Sequence, residues 1–168
     1  MQNPVPQLSV YNLFVEQGHA LDIFSEKRRM LALWCANIER TVVEQRLQTG
    51  HVFASFQQLD FFLPVIDRYR RMTEFVDNVW VFGTPSQNKD IPNIEGINYV
   101  YLDDADVLTQ EWFLIVNHPN YSRSLSALET TAPGTPHKDR TYKGILSSNP
   151  TVVTPVFDRL MAEFVQVV

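Results

Sequence analysis

The feature that most constrains this chain is a crowding of β-type runs in its second half. "VWVFG" (79–83), "INYVYL" (97–102), "EWFLIVNH" (111–118), "YSRSLSALET" (121–130) and "TYKGILS" (141–147) succeed one another with nothing helical longer than a turn or short helix, "DDADVLTQ" (103–110), between them. A doubly wound parallel sheet needs a helix between most strands, so this order points to an α+β fold. One further strand, "HVFASF" (51–56), lies upstream, and "EWFLIVNH", the most apolar run, is expected at the centre of the sheet. The expected architecture is a mixed or antiparallel sheet of about four to six strands, with a long N-terminal helix and a C-terminal helix packed on it.

The helices show in the period of their apolar residues. Leu31, Trp34, Cys35, Ile38 and Val42 recur at helical spacing, which predicts a helix from Ser25 to about Gln48, with Ser25 as N-cap and Gly50 at its end. A short helix is expected from Ser9 to about Gln17, stopped by Gly18. Residues 63–77 return to helical period with Pro64 in the first turn. The last helix is expected to start at Thr154–Pro155 and to present Val156, Phe157, Leu160, Met161 and Phe164 on one face. Met1–Gln7, with two prolines, reads as a loose lead-in.

Length and charge narrow the function. The 168 residues fit one domain (1–168), with 1–20 as an N-terminal extension. A formal charge of −5 disfavours direct nucleic-acid binding, which rests on Lys and Arg neutralising phosphates. The basic clusters Lys27–Arg29 and Arg68–Arg71 read as solvated helix faces. A single cysteine, Cys35, forms no internal disulfide, and neither a signal peptide nor a membrane-spanning run is visible, so a cytoplasmic protein is expected.

The sequence carries no recognised catalytic motif. Gly83 ends an apolar run, as the glycine of a phosphate loop does, but no second glycine follows before Gly96 and Pro85 removes an amide donor. The loop leads into another strand instead of a helix N-terminus, so it reads as a connection. His19, His51, His118 and His137 lack metal-ligand spacing, and Asp103, Asp104 and Asp106 lack the glycine of a calcium loop. No nucleophile elbow occurs, and no histidine follows Cys35 as at a bilin attachment site. Ser122, Ser124 and Ser126 form a small-residue face that serves helix packing or leaves room for a ligand. Glu39 falls among apolar neighbours on the long helix, where a carboxylate reaches water, pairs with an arginine or receives a ligand. Similar logic marks Glu129 and Arg140 at strand ends.

Taken in order, "LWCANIERTVVEQ", "FASFQ", "DRYRRM", "VWVFG", "YLDDADVLTQEWFLIVNHPNYSRSLSALE" and "DRTYKGILSSNPTVVTPVFDRLM" resemble the DICT domain of diguanylate cyclases and two-component systems, in its cyanobacterial form. The resemblance covers nearly the whole chain after about residue 20. It implies a non-enzymatic signal-input domain, suggested in its family to serve light responses, and it names neither a ligand nor a cofactor. Its partners would be signalling output proteins: a histidine kinase, a diguanylate cyclase or a transcription regulator. Neither direct nucleic-acid nor membrane contact is implied. A ligand pocket is expected between the long helix and the sheet, lined by Trp34, Trp112 and the serine face, with Glu39, Gln57, Arg70, Trp112, Glu129 and Arg140 as contacts. The alternative is a protein-interaction or dimerisation module, whose apolar ending, Phe164, Val165, Val167 and Val168, would form a homodimer contact.

Overall fold

The computed structural model describes residues 8–17, 22–87 and 89–165. The lead-in, Gly18, His19 and the last three residues lie outside them. A seven-stranded mixed sheet forms the middle layer, in the order β1-β7-β6-β5-β2-β3-β4. Its strands are β1 (Ile23–Lys27), β2 (Thr49–Gln58), β3 (Val76–Thr84), β4 (Ile97–Tyr101), β5 (Glu111–His118), β6 (Tyr121–Glu129) and β7 (Thr141–Ser147). The β2-β3 and β3-β4 pairs are parallel and the other pairs are antiparallel. The mixed α+β reading holds, while the strand count exceeds the four to six expected, with β1 the strand that was missed. β5 occupies the centre of the order, as its apolar run predicts.

Helices cover both faces. α2 (Arg28–Glu44) and α3 (Ile66–Met72) pack on one, where Leu31, Cys35, Ile38, Val42, Tyr69 and Met72 meet Val52, Ala54, Leu114 and Leu125. α1 (Val10–Val15) and α4 (Pro150–Phe164) pack on the other, where Val10, Phe14, Val156 and Leu160 meet Phe53, Phe113 and Ile115. Alternation along the strands divides these two cores, since neighbouring side chains point to opposite faces. The first helix of the chain is thus the short α1, with Val10 and Phe14 fully buried, and the long helix follows β1.

Several boundaries differ from expectation for local reasons. Ser25 lies inside β1 and caps nothing, because "IFSEK" alternates half-buried and exposed residues and pairs along β7. α2 therefore starts at Arg28 behind Lys27, which makes no side-chain cap. It ends at Glu44 in a Schellman turn: Leu47 N–H bonds Val42 C=O (3.0 Å) and Arg46 N–H bonds Val43 C=O (3.2 Å). Arg46, at φ 50°, takes the left-handed position expected of glycine, and Gly50 falls in β2. α4 begins at Pro150, capped by Asn149, whose side chain accepts from Thr151 N–H at 3.0 Å. The same cap-then-proline chemistry operates five residues upstream of the expected start, leaving Pro155 inside the helix. The 63–77 segment splits into a 3-10 turn (Leu63–Val65), α3, and the start of β3 at Val76.

The stretch after Gly83 is a connection, and its length has a cause. β3 and β4 are parallel neighbours, so residues 85–96 must carry the chain back along a whole strand without a helix. Gly83 itself is required by a close approach: a Cβ there would lie 2.9 Å from the backbone N of Leu59, where a 3-10 turn (Leu59–Phe61) crosses β3.

Candidate ligand-binding site

At one end of the sheet the ends of β2 and β6, the starts of β5 and β7 and the first turn of α2 converge. The device that builds this corner is a bulge. β2 and β3 pair Ser55 with Phe82 and Gln58 with Thr84, so β2 carries one extra residue between those points. Strict alternation would send Phe56 and Gln57 to opposite faces. The bulge instead leaves Phe56 in the α2-side core and turns Gln57 toward Tyr142, which belongs to that core too. Gln57 adopts φ 66°, a conformation that costs a non-glycine residue roughly 1–3 kcal/mol and persists only where its surroundings fix it.

Those surroundings are polar and nearly closed. The Tyr142 hydroxyl donates to Gln57 Oε1 at 2.8 Å, and Gln57 Nε2 donates to the Thr109 carbonyl (3.1 Å) and to Glu129 Oε2 (3.3 Å). The other carboxylate oxygen of Glu129 accepts from the Thr131 hydroxyl at 3.1 Å and lies 3.2 Å from Arg140 Nε. Arg140 Nε also donates to the Thr135 carbonyl at 3.3 Å, fastening the 131–139 loop. Burial, then the Glu129 charge, pushes the Tyr142 phenol up to about 12, against the pull of Arg140 and Arg28. Tyr142 therefore stays a proton donor throughout the ordinary pH range.

An aromatic wall borders this network. Trp112 meets Tyr142 edge-on, with ring centres 6.0 Å apart, and the Arg28 guanidinium lies 5.4 Å from the Trp112 ring and 5.2 Å from Phe61. Arg140 approaches Phe61 from 5.9 Å. The His137 imidazole stacks on Phe61 in parallel, 3.9 Å between centres. Burial, with Arg28 and Arg140 nearby, drives the His137 pKa from 6.5 down to about 4, so the ring is neutral at physiological pH. Its Nε2 is buried and has no hydrogen-bond partner among the described residues.

The corner thus gathers Gln57, Trp112, Glu129 and Arg140 from the sequence-predicted set. Glu39 and Arg70 lie elsewhere. Glu39 is almost fully buried between α2 and α3, pairs with Arg68 at 2.5 Å and touches Tyr69; burial raises its pKa. Arg70 binds Asp67 at the surface (2.9 Å) and lines a groove of about 640 Å³ at the opposite end of the strands, beside Asn78 and Gly96. The expected pocket under the long helix does not assemble as drawn. Trp112 faces α2, but Ser124 and Ser126 pair beside Ile115 and Phe113 and face α1 and α4. Trp34 packs edge-on against Phe24 of β1, 4.8 Å between centres.

Sequence reasoning missed Arg28, Phe61, His137 and Tyr142. Reading Lys27–Arg29 and Arg68–Arg71 as solvated faces was too simple, since Arg28 is half-buried against rings and Arg68 serves Glu39. It also missed Glu111, fully buried at the start of β5, whose carboxylate accepts Tyr11 N–H at 2.7 Å and so anchors α1. A second hollow, about 520 Å³, opens where the parallel strands β2, β3 and β4 end, lined by Gln58, Asp60, Thr84, Tyr101, Asp103 and Asp104 among others. Among the described residues no cluster of three or more His, Cys, Asp or Glu is placed to hold a metal ion, and no helix is long and apolar enough to cross a membrane.

The fold and the corner define an α+β module in which a mixed sheet carries helices on both faces and a polar corner at one end. The chain belongs to the DICT family, described as the sensory domain in diguanylate cyclases and two-component systems, with residues 7–130 matched. The family is one of sensory domains in signalling proteins. His137, Arg140 and Tyr142 lie beyond the matched residues. No curated protein matches the chain significantly. In fold it is similar to a polyphosphate kinase from Porphyromonas gingivalis, known from a crystal structure, with a TM-score of 0.52 and 18% identity. That likeness covers 94% of this chain and 26% of the kinase, and it speaks for the fold alone.

Proposed function

We propose that the chain is a non-enzymatic signal-input unit that senses a small molecule at the Gln57–Trp112–Glu129–Arg140 corner and relays its state to an output protein. The observation carrying this reading is Gln57: an unfavourable backbone conformation, held at a bulge, presents a buried amide to a network shared by three strands. Strain of this kind concentrates at ligand clamps and switches. Family membership supports the sensory role, with a histidine kinase, diguanylate cyclase or transcription regulator as the receiver. α2 is the natural relay, because its first residue, Arg28, touches the corner while its middle holds the Glu39–Arg68 pair. A light-related stimulus and a cytoplasmic site of action belong to the same proposal.

The test is a thermal-shift panel of nucleotides, flavins, bilins and carotenoids, with absorption above the aromatic band measured on the purified protein. A ligand that raises Tm in the wild type and loses most of its effect in Glu129→Gln supports the reading. A colourless protein whose Tm no compound moves removes it.

A second reading, a dimerisation module, draws on Met30 and Leu33, which lie one helical turn apart and exposed on α2. The apolar ending lends it less than the sequence suggests. Phe164 packs edge-on against Phe82 at 4.8 Å and Val165 joins the same core, while Val167 and Val168 lie outside the described residues. Light scattering that returns a monomer at every concentration would rule this reading out.

A further inference from the structure

The corner carries a charge imbalance. Two guanidiniums, Arg28 and Arg140, face it, and Glu129 answers only Arg140. Among the described residues Arg28 has no carboxylate partner; its guanidinium rests on the rings of Phe61 and Trp112, with Tyr142, His137 and Arg140 nearby. A half-buried cation resting on ring faces recovers from them only part of what it loses on leaving water. His137 Nε2 repeats the pattern, a buried polar atom without a partner, on a ring stacked on Phe61 with the two arginine charges nearby. Buried polar atoms in folded proteins are almost always satisfied, so an orphan calls for a specific explanation. Arg28 is also the first residue of α2, whose first turn has no side-chain cap and carries the positive end of the helix dipole.

We propose that Arg28, Arg140 and His137 together seat an oxyanion, a carboxylate or phosphate group of the sensed molecule, against the wall formed by Phe61 and Trp112. The inference rests on the sensory reading above and names the chemical class of its ligand. One oxyanion answers both deficits. A guanidinium offers paired donors to two oxygens, and the imidazole, as its Nε2–H tautomer or protonated, offers Nε2–H to a third contact. Glu129 then serves as a positioning residue that holds Arg140 and Gln57, and it excludes a second anion. The charged groups facing His137 are Arg28 and Arg140; an anion between them reverses the local field, so its pKa must rise from about 4 when the seat is filled.

The experiment follows the His137 side chain by proton–nitrogen NMR, assigned through its loss in His137→Gln. Inorganic phosphate and acetate are titrated separately at constant ionic strength, which distinguishes the two sources of the oxyanion. The expected result is a His137 midpoint about one pH unit or more higher with the accepted anion, abolished in Arg28→Gln and partly kept in Arg28→Lys. Neither anion moving it, or an equal movement in Arg28→Gln, overturns the proposal. A neutral compound that raises Tm equally in wild type and Arg28→Gln leaves the sensory reading standing and removes the anion. Phosphate acting through Arg28 while the compound panel stays silent does the reverse.

Discussion

Two constellations of acid and arginine sit on the α2 side of the sheet, and they are built on different plans. Glu39 and Arg68 match one to one: the acid is 2% exposed at its side chain, the arginine reaches in from 37% exposure, and the carboxylate has Tyr69 as a further neighbour. Glu129 pairs with only one of the corner's two arginines, is 16% exposed, and shares its oxygens with Gln57 and Thr131. A buried pair that satisfies itself ties α2 to α3 and asks for nothing more. A corner with a surplus cation, an orphan imidazole nitrogen and a strained residue is incomplete as it stands. Self-sufficiency, more than burial, separates the structural pair from the candidate site.

Removing Arg68 breaks that comparison most forcefully. Arg68→Ala leaves Glu39 buried without its cation and should cost about 2–3 kcal/mol at neutral pH, below the roughly 3–5 kcal/mol of a fully buried pair because Glu39 can take up a proton. Burial already holds the Glu39 pKa above its ordinary 4.5, and a raised acid favours folding below the unfolded value and loses that contribution as pH rises. The penalty in urea denaturation should therefore shrink toward pH 5.

The next effect belongs to the corner. Gln57→Ala strands the Tyr142 hydroxyl and weakens the hold on Glu129, a loss of about 1–3 kcal/mol. Gln57→Gly removes the same bonds but adopts φ 66° freely, so it should be the more stable of the two by about 1 kcal/mol. Chemical denaturation of both variants decides; an alanine variant equal to the glycine one would show that the backbone stores no strain.

His137 should respond to acid. Its folded pKa lies near 4 against an ordinary 6.5, a lowered base, so its stabilising contribution is complete above 6.5 and is lost as pH falls toward 4. Glu39 and Glu111, both raised, act in the opposite sense, so the wild type must be compared with His137→Gln. The Tm difference between the two should narrow in the histidine variant's favour as pH falls from 6.5 to 4. The smallest effect is expected for Arg28→Gln, within about 0.5 kcal/mol of wild type without ligand, because no ion pair is lost and repulsion from Arg140 is relieved. A large loss would make Arg28 a structural residue.

The fold was legible wherever periodicity spoke. The α2 face, the central β5 run and the serine alternation of β6 follow from spacing alone. β1 was not, because five residues with an exposed, charged ending read as a helix approach until β7 supplies a partner. Half of the corner was legible too, since Glu129 and Arg140 flank a hairpin connection and their pairing follows from the β6-β7 register. Gln57 was named without its reason, as a bulge leaves no mark in composition. Arg28, Phe61 and His137 are separated by dozens of residues and meet only because the α2 start, the Leu59–Phe61 turn and the 131–139 loop share one end of the sheet. Spacing cannot report that.

The most direct test of the central claim is amide chemical-shift mapping of the isotopically labelled protein against each compound that moves its Tm. A ligand seated at the corner should concentrate the perturbations at Arg28, Gln57, Phe61, Trp112, Glu129 and residues 137–142, spreading along α2. Perturbations confined to the hollow beside Asp60, Asp103 and Asp104, or to the Arg70 groove, would contradict it.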